Sequence, residues 1–209
     1  MQAQANLYWM EYKDQLVLTG AIDEVGAPIR QNVGKSRRVG LELEFKMNLL
    51  PNWVWQPNLA LSSNQNLDFI FERDGELVDL GKTQLAYSPN LISGSSLTYT
   101  ASTNFQITLL SKFVGKQYMG NIDSENSILP SYFINDLNIS YVWRPSKLLK
   151  EIQCSFLINN LLNKQYESNG YFYTYNDTWS APGKITTIEG AGFYPQAGIN
   201  FLTGLMIKF

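Results

Sequence analysis

Gly198-Ile-Asn-Phe-Leu-Thr-Gly-Leu-Met-Ile-Lys-Phe209 closes the sequence and carries the pattern that decides the fold. With period two, Ile199, Phe201, Thr203, Leu205, Ile207 and Phe209 share one face of a strand. Asn200, Leu202, Gly204, Met206 and Lys208 share the other. In a soluble domain a terminal exposed aromatic frays and invites association. On a transmembrane β-barrel it has a use, because the outward face of every strand meets lipid. The competing reading is an edge strand of a soluble sandwich, and the chain upstream has to decide.

Working back from the terminus, the same alternation recurs. Ile152, Cys154, Phe156, Ile158 and Leu162 oppose Gln153, Ser155, Asn159 and Asn163, and Leu137, Ile139, Tyr141 and Trp143 oppose Asp136, Asn138, Ser140 and Val142. Phe105, Ile107, Leu109 and Phe113 oppose Gln106, Thr108, Leu110 and Lys112, while 90–100 is a weakly patterned strand. Trp53, Trp55, Leu59 and Leu61 face away from Gln56, Asn58 and Ser62, with a bulge expected at Pro57. Val39, Leu41, Leu43 and Phe45 form the cleanest apolar face, opposite Arg38, Gly40, Glu42, Glu44 and Lys46. Asn6 to Lys13 completes a set of about eight antiparallel strands, a number within the range of membrane barrels.

The connections alternate in length. Short turns are expected at 48–52, 101–104 and 144–147, the last with a helical twist over 148–151. Long loops are expected at 14–32, 64–89, 115–131 and 167–192. Short turns at one end and long loops at the other are the signature of an outer-membrane barrel, periplasmic turns against extracellular loops. A sandwich has no reason to segregate them. Trp53, Trp55, Phe105, Tyr141, Trp143 and Phe209 gather near the short-turn ends, where an interfacial aromatic girdle belongs.

Composition narrows the chemistry. Sixteen Lys and Arg against 18 Asp and Glu leave no electrostatic case for nucleic acid. No run approaches the length of a transmembrane helix. The absence of histidine removes the commonest general base and the usual zinc ligand, and argues against haem for this segment. The single Cys154 allows no internal disulfide. Met1-Gln-Ala-Gln-Ala-Asn6 has neither the basic nor the apolar region of a signal peptide. Glu42 and Glu44, two apart on one face beside Arg38 and Lys46, suit a solvated lumen wall better than a catalytic pair. Gly34-Lys35-Ser36 lacks the first glycine and the helix of a phosphate loop, and Asp123, Glu125 and Asp136 lack calcium-loop spacing. No catalytic, cofactor or metal site is expected, and the chain is not expected to be an enzyme. Tyr171, Tyr173, Tyr175, Asn176 and Trp179, with Asp177, form the one aromatic and polar set suited to gripping a ligand.

The terminal stretch resembles the assembly signal of Gram-negative outer-membrane barrels. Phe201, Leu205, Ile207 and Phe209 match its apolar alternation, and Thr203 is the one departure. Over essentially its whole length the chain resembles the carboxyl-terminal barrel section of TonB-dependent outer-membrane receptors. The likeness is carried by Asn6-Leu-Tyr-Trp-Met-Glu-Tyr-Lys-Asp-Gln-Leu-Val-Leu-Thr-Gly20, Lys35-Ser-Arg-Arg-Val-Gly-Leu-Glu-Leu-Glu44 and Val114-Gly-Lys-Gln-Tyr118. Asn159-Asn-Leu-Leu-Asn-Lys-Gln-Tyr166, Ser168-Asn-Gly-Tyr171 and Tyr194-Pro-Gln-Ala-Gly-Ile-Asn-Phe201 extend it.

The resemblance implies a barrel of about 22 strands filled by an amino-terminal plug, in the outer membrane of a Gram-negative bacterium. Such a receptor imports a scarce nutrient, most often a ferric siderophore or similar metal chelate, with energy passed by TonB through the plug. Its partners are outer-membrane lipid, the barrel-insertion machinery, TonB and the small-molecule ligand. On this reading residues 1–209 are the carboxyl-terminal barrel section, and the plug domain and signal peptide are absent from the sequence. The alternative is a self-contained eight-stranded barrel acting as adhesin, anchor or small enzyme.

Overall fold

A computed structural model describes residues 1–145 and 149–209, the Val33 side chain excepted. Its strands are β1 (Gln2–Ile22), β2 (Pro28–Leu50), β3 (Trp53–Arg73), β4 (Glu76–Gln84), β5 (Leu91–Ser102) and β6 (Phe105–Val114). After β7 (Gln117–Tyr118) and β8 (Ile128–Leu129) come β9 (Tyr132–Trp143), β10 (Glu151–Asn159), β11 (Glu167–Asp177), β12 (Thr186–Pro195) and β13 (Asn200–Lys208). β1, β2, β3, β5, β6, β9, β10 and β13 pair in that order as antiparallel staves, and the expected eight strands are all present.

Register gives the row of staves a largely apolar and a largely polar face, β5 being the least sorted, with Ser93 and Ser95 beside Leu97. Leu7 pairs with Leu41, Leu41 with Leu61, and Leu61 with Leu91, all on the apolar side. Leu97, Leu109, Leu137 and Ile158 continue that side to Phe201 on β13. The other face carries Gln4 with Glu44, Asn6 with Glu42, Thr98 with Thr108, and Asn159 with Asn200. Side-chain bonds follow these pairs: the Asn6 amide donates to Glu42 at 3.0 Å, and Asn159 to Asn200 at 2.8 Å. The faces of the first strand follow from its pairing with β2. Tyr8, Met10 and Tyr12 are polar-side residues, with Arg38 5.5 Å over the Tyr12 ring.

The staves form an open sheet. Among the described residues β1 has one further strand pairing, a parallel bridge of Ala21 to Thr174 on β11, and β13 pairs with β10 alone. Unpaired edges of this length leave a row of backbone donors and acceptors without partners.

Three expected long loops are strands instead. Residues 14–32 are the upper halves of β1 and β2, which run on together to a turn at Asp23–Ala27, where the Asp23 carboxylate accepts from the Val25 and Ala27 amides at 3.0 and 2.8 Å. Residues 64–89 hold the β3–β4 hairpin, and 167–192 hold most of the β11–β12 hairpin. Only 115–131 stays largely irregular, with β7, β8 and a short 3-10 turn at Glu125–Ser127. The short turns at Pro51-Asn52 and Thr103-Asn104 are as expected. β10 stops at Asn159, so Leu162 belongs to the following loop. Of the expected turn and helical twist over 144–151, residues 146–148 lie outside the described residues, and Glu151 is not helical but begins β10.

Candidate functional site

The strand extensions pack into a folded head at the long-loop end of the staves. Its core is Val17 from β1, Phe69 and Phe71 from β3, Leu85 and Ile122, joined by Leu80 and Phe172. Polar groups tie the pieces together. The Asn121 side chain, 3% exposed, accepts from the Ala86 amide at 2.9 Å and donates to the Leu18 carbonyl at 2.8 Å. Glu189 on β12 accepts from the Ser124 hydroxyl, from Asn126 at 3.0 Å and from Arg73 at 3.2 Å, fixing the hairpin to the 3-10 turn and the β3 tip. Tyr87 donates to the Gly170 carbonyl at 2.8 Å.

Asp123 turns the chain at φ 52° and accepts from the Gln84 amide at 2.8 Å. Burial pushes its carboxyl above the ordinary aspartate range, against the lowering effect of that amide and of Lys116. A raised acid pKa means that the folded head binds the proton more tightly than the unfolded chain does. Stability is therefore fully present below the unfolded value and is lost as pH rises through the folded one. Asp123→Asn keeps the acceptor oxygen and tolerates the positive φ. It is expected to increase protection of the Gln84 amide at neutral pH and to flatten its pH dependence through the carboxylate range, read by hydrogen exchange.

The β11–β12 hairpin is two-faced. Gly170, Phe172 and Thr174 turn to the head core, while Tyr171, Tyr173 and Tyr175 form a ladder on the other face. Successive ring centroids stand 6.2 and 6.4 Å apart, and Trp179 continues the ladder 5.9 Å beyond Tyr175 at an interplanar angle of 5°. The rings can lie flat because Gly192 and Gly190 sit opposite Tyr171 and Tyr173, and a Cβ at either glycine would overlap the ring. Asp177 accepts from the Trp179 and Ser180 amides at 3.0 and 3.1 Å and so fixes the turn that presents Trp179. The Ser180 side chain first, and then those two amides, hold the Asp177 carboxyl below its usual range. Trp179 is 69% exposed, a large aromatic offered to solvent.

Beside the ladder's end lies an open cleft of about 970 Å³. Thr19 and Gln31 line it from the first hairpin, Ile70 and Phe71 from β3, and Tyr175 and Trp179 from β11 and its turn. Asp23, Glu24 and Glu72 are its charged lining groups, all acidic. Of the ligand set expected from sequence, the structure aligns the four aromatics in the ladder and puts Asn176 on the other face of β11, where it lines the same cleft as Tyr175 and Trp179. Its amide donates to Glu72 at 2.8 Å and accepts from Thr187 at 3.0 Å. The cleft's acids were missed, because residues scattered over 23–72 converge only through the strand extensions.

The other expected residues fall as follows. Phe201, Leu205 and Ile207 lie on the apolar face of β13, against Ile158, Cys154 and Ile152, and Phe209 follows the strand. Trp53, Trp55, Tyr141 and Trp143 lie on the same face near the short turns. Trp53 stacks on Tyr99 at 4.7 Å, and the Trp55 indole donates to Ser95 at 2.8 Å. Cys154 is exposed on that face. Glu42 and Glu44 line the polar face, and Gly34-Lys35-Ser36 is ordinary strand within β2. Asp123 binds Gln84, and Asp136 accepts from the Asn160 amide at 2.7 Å. Among the described residues no group of acids or Cys154 is placed to hold a metal ion.

Staves that are apolar on one face and polar on the other, with short turns at one end and a folded head at the other, make a wall of the outer-membrane barrel type. The chain belongs to the family described as "TonB dependent receptor-like, beta-barrel", whose model matches residues 1–161. It is similar to the Pesticin receptor of Yersinia enterocolitica, with 26% identity over 171 residues, 80% of this chain and 23% of that protein. It thus spans about a quarter of that relative's length. The fold is also that of the copper transporter OprC, at TM-score 0.65 and 20% identity, covering 100% of this chain and 29% of the other. The siderophore receptor PiuA from Acinetobacter baumannii matches at TM-score 0.60 and 17% identity, over 98% of this chain and 26% of the other.

Proposed function

We propose that residues 1–209 are a barrel-wall section of a receptor in the outer membrane of a Gram-negative bacterium, and that the whole receptor takes up a metal chelate with energy from TonB. The observation that carries this is the solvent-facing aromatic ladder beside the cleft, mounted on staves of the receptor family. The free edges of β1 and β13 support a larger barrel over a self-contained eight-stranded one, in which those two strands would pair with each other. Further staves and a plug engaging TonB would come from additional chain. The apolar face meets lipid, Trp53, Trp55, Tyr141 and Trp143 sit at the periplasmic interface, and Phe201, Leu205, Ile207 and Phe209 are read by the barrel-insertion machinery.

The cleft also bears on the cargo. Stacked aromatics suit the flat, conjugated arms of an iron chelator, whereas Asp23, Glu24 and Glu72 repel excess negative charge. A neutral or cationic chelate, ferric siderophore or a related metal complex, fits better than a multiply anionic one. The test is binding to the complete receptor in detergent, comparing a neutral ferric trihydroxamate with a trianionic ferric tris-catecholate. Tyr175→Ala with Trp179→Ala is expected to weaken the preferred chelate roughly tenfold or more, since each ring contact contributes on the order of 1 kcal/mol. Binding of neither chelate, or unchanged affinity in the double variant, would sink the reading.

A further inference from the structure

Lys13 on β1 and Lys35 on β2 stand directly opposite each other in register, both exposed. Two ammonium groups so placed repel and weaken the pairing they share. Neither is in a salt bridge among the described residues. Arg37 lies two residues farther along the same face, paired with Glu11, with its guanidinium 5.4 Å over the Trp9 ring. The Trp9 indole donates to Glu11 at 3.1 Å. Three cations against one carboxylate leave this small surface positive. Asp14, next to Lys13 in the chain, turns the backbone there at φ 55° and still leaves the cations in excess, and Asp68 lies against Gly34 on the opposite face of the sheet.

The position of this surface says what covers it. Below it on the same face run the pairs Trp9 with Val39, Leu7 with Leu41, Ala5 with Leu43, and Ala3 with Phe45. All are apolar, and the charges begin at the next pair, Glu11 with Arg37. An occupant must therefore carry negative charge at one end and hydrocarbon along the rest. Trp9, with its indole at the boundary, occupies the depth that amphipathic rings prefer in membranes.

We propose that Lys13, Lys35 and Arg37 bind the phosphate-bearing headgroup of a membrane lipid whose acyl chains lie over Leu7, Leu41 and Leu43. The anion relieves the opposed lysines, so the lipid stabilises the upper β1–β2 pairing as well as being held by it. This rests on the barrel wall standing in a membrane, and is independent of any cargo.

The experiment uses the intact receptor extracted into nonionic detergent and native mass spectrometry of lipids retained from mixed micelles. Phosphatidylglycerol or a diphosphorylated glycolipid is expected to be retained in preference to phosphatidylcholine. Lys13→Gln with Lys35→Gln is expected to lower that retention roughly 25-fold, from the contribution of each basic residue at an anionic lipid surface. Raising salt until the screening length falls to a few ångströms should release the lipid from the unaltered protein, a readout that needs no variant. Equal retention of all lipids, indifference to salt, or displacement by inorganic phosphate alone would overturn the proposal. The Tyr175→Ala, Trp179→Ala variant should keep its lipid, which separates failure of this site from failure of the cargo reading.

Discussion

Asn121→Leu is expected to open the head while leaving the staves paired. Leucine keeps the branched, four-heavy-atom shape of asparagine with bulkier methyl ends, so lost polar satisfaction leads the effect and some overpacking adds to it. The Asn121 side chain reaches three pieces of chain at once, accepting from the Ala86 amide at 2.9 Å and from Asn66 at 3.5 Å and donating to the Leu18 carbonyl at 2.8 Å. Leucine offers none of these. The Ala86 amide and Leu18 carbonyl lose the partner that Asn121, 3% exposed, supplies, at about 1–3 kcal/mol each. Asn66, fully buried, keeps its bond to Thr83 at 3.0 Å, but its carbonyl oxygen already lacks a partner and has no reserve. Together the loss is on the order of 4 kcal/mol of local stability, enough to open a sub-structure without unfolding the whole. Hydrogen exchange should show amides in 84–90 and 117–129 losing protection several-hundredfold, while those of β5, β6, β9 and β10 do not change. Unchanged protection at Ala86 would show that Asn121 is incidental. Uniform loss across the staves would show that head and wall are one cooperative unit.

The same residues explain what the sequence makes legible. Stave positions are readable because each face has one fixed environment, so Leu41 and Glu42 must alternate, and one slip of register would invert them. The terminal stretch is readable for the same reason, down to Phe201, Leu205 and Ile207 on one side. In the head that rule lapses. Val17 is buried and neighbouring Leu16 is 61% exposed, while Asn66, Ser127 and Thr174 fill core positions that a hydrophobic pattern reserves for aliphatics. Polar cores are specified by hydrogen-bond partners distant in sequence, and period-two patterning carries none of that information. Gly190 and Gly192 suggest a loop on composition alone. Their purpose is visible only once Tyr173 and Tyr171 lie across them. The three tyrosines share odd positions, an alternation hidden within a stretch whose composition suggests a loop, and the even position of Asn176 puts it on the other face.

That contrast among glycines leads to the second large effect, Gly170→Val. A side chain at Gly190 or Gly192 would meet a tyrosine ring edge, and a ring can swing away about its first two torsions. Gly190→Ala and Gly192→Ala should therefore tilt Tyr173 and Tyr171 out of the ladder but leave the hairpin folded. At Gly170 the first obstacle is backbone. A Cβ there would overlap the Gly192 carbonyl oxygen and stand 2.6 Å from Met119 Sδ and 3.3 Å from Phe193 Cα. Met119 is only 2% exposed, so its thioether has nowhere to go, and the Gly192 carbonyl is part of the β11–β12 pairing. The Gly170 carbonyl also receives the Tyr87 hydroxyl, so shifting Gly170 breaks the hairpin's bond to the 85–90 segment as well. Overpacking ordinarily costs about 1–3 kcal/mol. With an immovable carbonyl and a lost buried hydrogen bond added, about 4 kcal/mol or more is expected. The hairpin should lift from the 115–131 segment, and limited trypsin digestion should then cut at Lys116 and Lys184 before any stave lysine. The ligand contact proposed for the ladder should be lost along with that docking, whereas Gly192→Ala should weaken it without speeding cleavage at either lysine, both of which are on the surface of the unaltered protein. Equal trypsin resistance of Gly170→Val and the unaltered protein would mean that the hairpin does not seat on Met119, and that the ladder is presented by some other arrangement.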